Sequence, residues 1–212
     1  MNILIYNLTH IILFPFFLIF LILRLFNKKE NLESFFQKLF CKGDKNYYCY
    51  IIHVASVGEL NSIHYLIQKI PQEKKILITC STLSAHKLAL KKYKHCSVKY
   101  LPYDFYPLVR VFLAKNMTDK FIWIDSEIWP NLIFNANKLN IPIGIINARI
   151  TLKTFKRWIV FKKTATKIFN SLKMEQNRYK ISLCGGDTTF SNKLSFSITS
   201  IGYSKNIIYR NK

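Results

Sequence analysis

Apolar residues follow two regimes along this chain. Over residues 3–23 they are almost unbroken, with Asn7, Thr9, His10 and Pro15 as the interruptions. Over residues 11–23 every position but Pro15 is Phe, Leu or Ile. Such a run is just long enough to cross a bilayer. Residues 1–27 therefore read as a membrane anchor helix. From Tyr47 onward the regime changes, and short β-favouring runs alternate with helical patterns. Buried strands are expected at 48–52, 75–80, 97–101, 121–124 and 142–146. Leu60, Ile63, Leu66 and Ile67 recur at helical spacing after the first. Ser81-Thr82 offers an N-cap for a helix through about Tyr93. Pro107 opens a helix through Leu113, and Pro130 starts the one after the fourth strand. Five strands, each followed by a helical segment, imply an α/β fold with a Rossmann-like parallel sheet and right-handed crossovers.

Charge refines this picture at both ends. Arg24, Lys28 and Lys29 follow the apolar run directly, and no Lys or Arg precedes it. The positive-inside rule then places the C-terminal side in the cytoplasm. An interfacial, non-spanning helix is the alternative, because the strongest run is short and carries Pro15. Residues 28–46 read as a basic juxtamembrane connector lying on anionic headgroups. The formal net charge is +21 over 212 residues, which calls for anionic partners such as phosphate groups or acidic lipids. Beyond Ile150, Lys153, Lys156, Arg157, Lys162, Lys163, Lys167 and Lys173 decorate an expected amphipathic helix. Residues 47–178 form the expected Rossmann-like domain. Residues 179–212 are a Ser/Thr/Gly-rich tail without clear periodicity. Five scattered cysteines form no metal or disulfide pattern, so reduced thiols are expected.

Candidate chemistry gathers where the strands end, the edge at which open α/β sheets bind ligands. The first strand leads into His53-Val54-Ala55-Ser56-Val57-Gly58-Glu59. Gly58 marks the expected tight point of this strand-to-helix crossover, or a place where a ligand approaches the backbone closely. Glu59 in the first helical turn has two readings. One is compensation of the helix dipole; the other is a general base facing a substrate hydroxyl. Later strand ends carry Thr79-Cys-Ser-Thr82, Tyr100-Leu-Pro-Tyr-Asp104, Asp125-Ser-Glu127, Trp129 and Asn147-Ala-Arg149. Asp104 is placed to cap or turn the chain before the Pro107 helix. Trp129 suits a core aromatic. Arg149 is a fixed cation suited to phosphate or carboxylate.

Taken together, these stretches resemble the 3-deoxy-D-manno-octulosonic acid (Kdo) transferases of lipopolysaccharide assembly. The likeness rests on the apolar N-terminus, His53-Val-Ala-Ser-Val-Gly-Glu59, Tyr100-Leu-Pro-Tyr-Asp104, Glu127-Ile-Trp-Pro-Asn-Leu-Ile133 and Asn147-Ala-Arg149, in family order and with family spacing. The resemblance implies the N-terminal half of a GT-B glycosyltransferase at the cytoplasmic face of the inner membrane. It implies transfer of Kdo from CMP-Kdo to a lipid A precursor, with neither metal nor other cofactor. It places the acceptor-activating base on Glu59 and a second acid on Glu127. Lys205, in Ile201-Gly-Tyr-Ser-Lys205, is the loose match to a lysine that stabilises the transition state. Ser56, Gly58, Asn147 and Arg149 are the expected substrate-binding positions. The family pattern also departs here: Ile150-Thr-Leu-Lys-Thr154 keeps only Lys153 of its charges. The family's donor-binding domain has no counterpart within the 212 residues, so a complementing C-terminal domain chain is an expected partner.

Two other classes compete. A non-catalytic membrane-surface module would bind lipid A or other anionic lipids. A nucleic-acid binder would explain the charge, but no nucleic-acid motif is present and an anchor suits it badly, so no nucleic acid is expected.

Overall fold

A computed structural model describes residues 3–41, 45–124, 129–147 and 166. Twelve elements follow in order among these residues. Helix α1 covers Ile3–Phe26 and α2 Leu32–Phe40. Strand β1 covers Asn46–Val54, with α3 at Val57–Ser62 and α4 at His64–Lys69. Then come β2 (Ile76–Cys80), α5 (Leu83–Lys92), β3 (Ser97–Tyr100) and α6 (Tyr106–Lys115). Finally β4 (Asn116–Ile124), α7 (Pro130–Lys138) and β5 (Ile143–Ile146) complete the set.

The five strands form one parallel sheet in the order β3-β2-β1-β4-β5. The chain winds outward from β1 to β3 on one side and from β4 to β5 on the other. The switch point therefore lies between β1 and β4, where a doubly wound sheet opens a crevice at its carboxyl edge. Alternate residues face two cores, as a pleated strand requires. Ile51, Leu77, Phe121 and Trp123 pack with Val109 and Phe112 of α6 and Leu132 and Ile133 of α7. Ile52, Ile76, Ile78 and Ile124 pack with Leu60, Ile67 and Ala85 from α3, α4 and α5. The expected α/β, Rossmann-like parallel sheet behind an apolar helix is thus present.

Three local expectations need correction. The helix after Glu59 is broken at Ile63, where α3 gives way to α4. Ser62 Oγ donates to the Glu59 carbonyl at 2.7 Å, the back-bonding that bends helices. Strand β4 begins at Asn116 rather than 121. Its polar start, through Thr118 and Lys120, carries no strand pattern but pairs with Asn46–Tyr48 and Tyr50 of β1. Gly58 is not needed for a tight turn. It lies inside α3, and an added Cβ would meet nothing closer than Ser56 Oγ at 3.8 Å. The crossover is made instead by Ser56, an extended N-cap at φ −130°.

Asp104 caps a different helix from the one expected. Helix α6 has Phe105 at its N-cap and no side-chain cap bond. The Asp104 carboxylate instead accepts from the backbone N–H groups of Asn131 (3.0 Å) and Leu132 (2.9 Å), in the first turn of α7. Asn131 Nδ2 returns a bond to the Asp104 carbonyl at 2.7 Å. Helix α7 has no cap from Trp129, so Asp104 takes over two of its orphan donors from another loop. Tyr6 of α1 donates its hydroxyl to the same carboxylate at 2.9 Å.

Replacing Asp104 by Ala strands two sheltered N–H groups, and is expected to lower stability by roughly 2–4 kcal/mol. Tyr6→Phe, which removes one donor and leaves the cap intact, is expected to cost about 1 kcal/mol. Urea unfolding midpoints in detergent test both, and equal effects would contradict the cap.

Candidate active site

The loop after β1 is built around Glu59. Its Oε2 accepts from Ala55 N–H at 2.7 Å and its Oε1 from the Ser56 hydroxyl at 2.9 Å. Ser56 Oγ in turn accepts from Glu59 N–H at 3.3 Å. This reciprocal pairing resembles a capping box, shifted by one residue on the return bond. The carboxylate is thus held by its own loop, half-buried at the carboxyl end of β1. Both readings of Glu59 survive this geometry. The side chain stabilises a helix start, yet a carboxylate has about four acceptor sites and only two are used here.

Neighbouring loops are tied to this one. Thr82 Oγ1 donates to the Ala55 carbonyl at 3.1 Å and caps α5 by accepting from Ala85 N–H. Ser81 does not cap; its N–H donates to the Val54 carbonyl, and its Oγ lies 3.4 Å from His53 Nε2. On the other side of the imidazole, Nδ1 lies 3.0 Å from Thr79 Oγ1. The His53 ring meets Trp123 edge-on at 5.3 Å and Trp129 at 5.7 Å. Complete burial holds the His53 pKa down, to about 3, so the imidazole is neutral at physiological pH.

A buried ion pair supports the same edge, and sequence reasoning missed it. Lys38 Nζ donates to Glu30 Oε1 at 2.8 Å, to Glu30 Oε2 at 3.0 Å and to the Ser81 carbonyl at 2.8 Å. The side chains of Lys38 and Glu30 are 4% and 2% exposed. Ser34 Oγ donates to Glu30 Oε2, and Arg24 completes the cluster from the end of α1. Lys38 Nζ also lies 5.3 Å from the ring centre of Tyr100 and 5.6 Å from that of Tyr103. Burial lowers the Lys38 pKa, while Glu30 opposes that shift. So this lysine of the 28–46 stretch faces the protein and not headgroups. A signal was readable: Ser34 and Lys38 are four residues apart and so share a face of α2, and Glu30 lies one further step of four back, just before the N-cap Asn31.

Of the predicted site residues, Ser56, Gly58 and Glu59 lie together where β1 passes into α3, Ser56 as N-cap and the other two in the first turn. Asn147 sits at the end of β5, on the same edge, with a left-handed φ of 58°, a conformation that asparagine tolerates well. Glu127, Arg149 and Lys205 lie outside the described residues, as do the expected basic helix and the tail. Cys41, Cys49, Cys80 and Cys96 are free thiols. Burial raises the thiol pKa of Cys41 and Cys96 to about 11 and that of Cys80 to about 12, so these three are not poised as nucleophiles.

Three measurements probe this edge. Lys38→Ala leaves Glu30 buried and without its main partner, and is expected to destabilise by about 3–5 kcal/mol; the double variant Glu30→Gln/Lys38→Met should recover most of that loss. Gly58→Ala is expected to leave stability unchanged or raise it by about 0.5–1 kcal/mol, since alanine suits a helix better. The third is pH dependence. His53 has a folded pKa below its unfolded one, so its contribution is lost as pH falls from about 6.5 toward 3. Asp104 has the opposite sign: burial raises its pKa to about 6, so its contribution is lost as pH rises from about 4 to 6. His53→Leu should therefore lose less stability than wild type between pH 6.5 and 4, read from urea midpoints.

Comparison with known proteins follows the same stretch of chain. A family model described as 3-deoxy-D-manno-octulosonic-acid transferase (kdotransferase) matches residues 29–178. A 3-deoxy-D-manno-octulosonic acid transferase of Rickettsia typhi is 35% identical over 116 residues, which cover 53% of this chain and 25% of the relative. A bifunctional glycosyltransferase/methyltransferase of Fusobacterium nucleatum is 31% identical over 140 residues, 61% of this chain and 22% of the relative. The Rickettsia bellii 3-deoxy-D-manno-octulosonic acid transferase is 29% identical over 160 residues, 72% and 38% respectively. The chain thus spans well under half the length of these relatives. With the family model covering most of the chain and the Ser56–Glu59 loop set at the switch-point edge of a doubly wound sheet, this protein belongs to the 3-deoxy-D-manno-octulosonic-acid transferase family.

Proposed function

We propose that this chain is the acceptor-side half of a glycosyltransferase that moves Kdo from CMP-Kdo to a lipid A precursor at the inner membrane. The observation that carries the reading is the placement of Glu59 beside the β1/β4 switch point. A sugar hydroxyl is a poor nucleophile until a positioned carboxylate takes its proton. Ala55 N–H fixes Oε2, while Oε1 already receives a hydroxyl hydrogen from Ser56. An acceptor hydroxyl arriving at Oε1 would meet the same geometry. Its proton passes to Glu59, its oxygen bonds to the anomeric carbon of Kdo, and the bond from that carbon to the CMP phosphate oxygen breaks.

In this reading Ser56, Gly58, Asn147 and Arg149 contact substrate. Glu127 and Lys205 stabilise charge in the transition state. A donor-binding domain, supplied by a separate chain or a further segment, holds the nucleotide. The rival reading is a non-catalytic surface module for lipid A. The same turn is compatible with it, because each Glu59 oxygen already has one partner, Ala55 N–H or the Ser56 hydroxyl, in a helix-capping arrangement.

The test is a transfer assay with CMP-Kdo and lipid A precursor, run with the chain alone and with a donor-binding domain of the family added. Glu59→Gln keeps an acceptor for Ala55 N–H but cannot take a proton. It is expected to lower the rate about 10²–10⁴-fold. Transfer at the wild-type rate by Glu59→Gln would remove the base. Binding of lipid A precursor with no product under either condition would favour the module.

A further inference from the structure

We infer that α1 does not cross the bilayer: it lies in the membrane plane, docked lengthwise on the domain, with its outer face immersed in one leaflet. Hydropathy alone argues for a span, since residues Ile5–Phe26 are long and apolar enough for one, at a mean hydropathy of 2.3. The contacts argue otherwise. The sheltered positions of α1 include Asn7, His10, Phe14, Phe17, Leu21 and Arg24, a 3-4-3-4 stripe that makes one face of a helix. That face is occupied along its length. Tyr6 bonds Asp104, Phe14 stacks on Phe105 at 5.2 Å, Phe17 meets Tyr103 edge-on at 4.6 Å, and Arg24 pairs with Glu30. Leu21 is 1% exposed.

From Tyr6 to Arg24 the helix rises about 27 Å, nearly the full hydrocarbon thickness of about 30 Å. A spanning α1 would keep Arg24 at the cytoplasmic surface and carry Tyr6 to the far side. The loop of Tyr103, Asp104 and Phe105, and with it the start of α7, would have to follow into hydrocarbon. A carboxylate and a capped helix terminus placed there are costly. Either the contacts hold or the helix spans.

The occupant of the remaining face follows from its chemistry. Leu8, Ile11, Ile12, Phe16, Ile19, Phe20, Leu23 and Phe26 are all more than half exposed. Leu32 and Phe40 of α2 extend this apolar surface at 62% and 59% exposure, while the polar members Ser34 and Lys38 turn inward. Leu39 is buried and Glu33 stays exposed, so it is the Leu32 and Phe40 side of α2 that suits acyl chains. Lys28 and Lys29 lie between the two helices, at the level where anionic headgroups would meet them. Because Tyr103–Phe105 follows β3, an in-plane α1 also holds the carboxyl edge of the sheet against the bilayer surface. The inference concerns the anchor and stands apart from whether the chain transfers sugar.

An N-terminal epitope tag on the full chain, expressed in bacterial inner membranes, decides between the arrangements. In-plane docking predicts that protease added to intact spheroplasts spares the tag, and that protease added to inverted vesicles removes it. The reverse pattern means a span and overturns the inference. A second measurement is independent of the tag. Phe14→Cys/Phe105→Cys should form a short thiol cross-link in membranes that neither single variant forms. Failure to cross-link in membranes, with the same pair cross-linking in detergent, would likewise overturn it.

Discussion

Asp104 joins three parts of the molecule that share no sequence neighbourhood. Its carboxylate holds the first turn of α7, receives the hydroxyl of Tyr6 from α1, and sits in the loop leaving β3. Two backbone donors at a helix N-terminus favour negative charge there, while the loss of water opposes it, and burial prevails in lifting the pKa to about 6. The two hydrogen bonds to Asn131 and Leu132 N–H cap the start of α7. Tyr100-Leu-Pro-Tyr-Asp104 and Trp129-Pro-Asn131 are therefore two halves of one structural joint.

A second polar connection runs beneath the Glu59 loop. It passes from Glu30 to Lys38, on to the Ser81 carbonyl, then through the Ser81 hydroxyl to His53 and Thr79. Buried ion pairs of this sort add little net stability, but removing one partner leaves a charge that nothing compensates. Their effect here is positional. The connection ties the end of α1 and all of α2 to the strand ends of β1 and β2. His53, kept neutral by burial, serves as a spacer between two hydroxyls and two tryptophans.

Both connections couple the apolar N-terminus to the candidate site. Under the proposed function the acceptor is an amphiphile, and such coupling then has a plain use. Its headgroup and the turn at Glu59 would have to meet at one depth, and an α1 docked as inferred above would set that depth without a flexible tether. Positioning of this kind is worth a large share of the barrier in a bimolecular step.

Periodicity settled much of this protein in advance. Alternating apolar runs and helical patterns fixed five strands, their parallel pairing and the edge where polar residues collect, because each depends on local burial that a strand or helix repeats along itself. The apolar character of α1 and the capping role of Thr82 were equally local. What the fold alone decided are contacts between distant positions. Asp104 caps a helix 27 residues on, Lys38 reaches a carbonyl 43 residues away, and Tyr6 bonds a residue 98 positions later. The polar start of β4 became strand only because β1 lay beside it. Such pairings carry no local signature: a side chain of a given chemistry looks the same in sequence whether water, lipid or another loop awaits it, and only packing in three dimensions makes that choice.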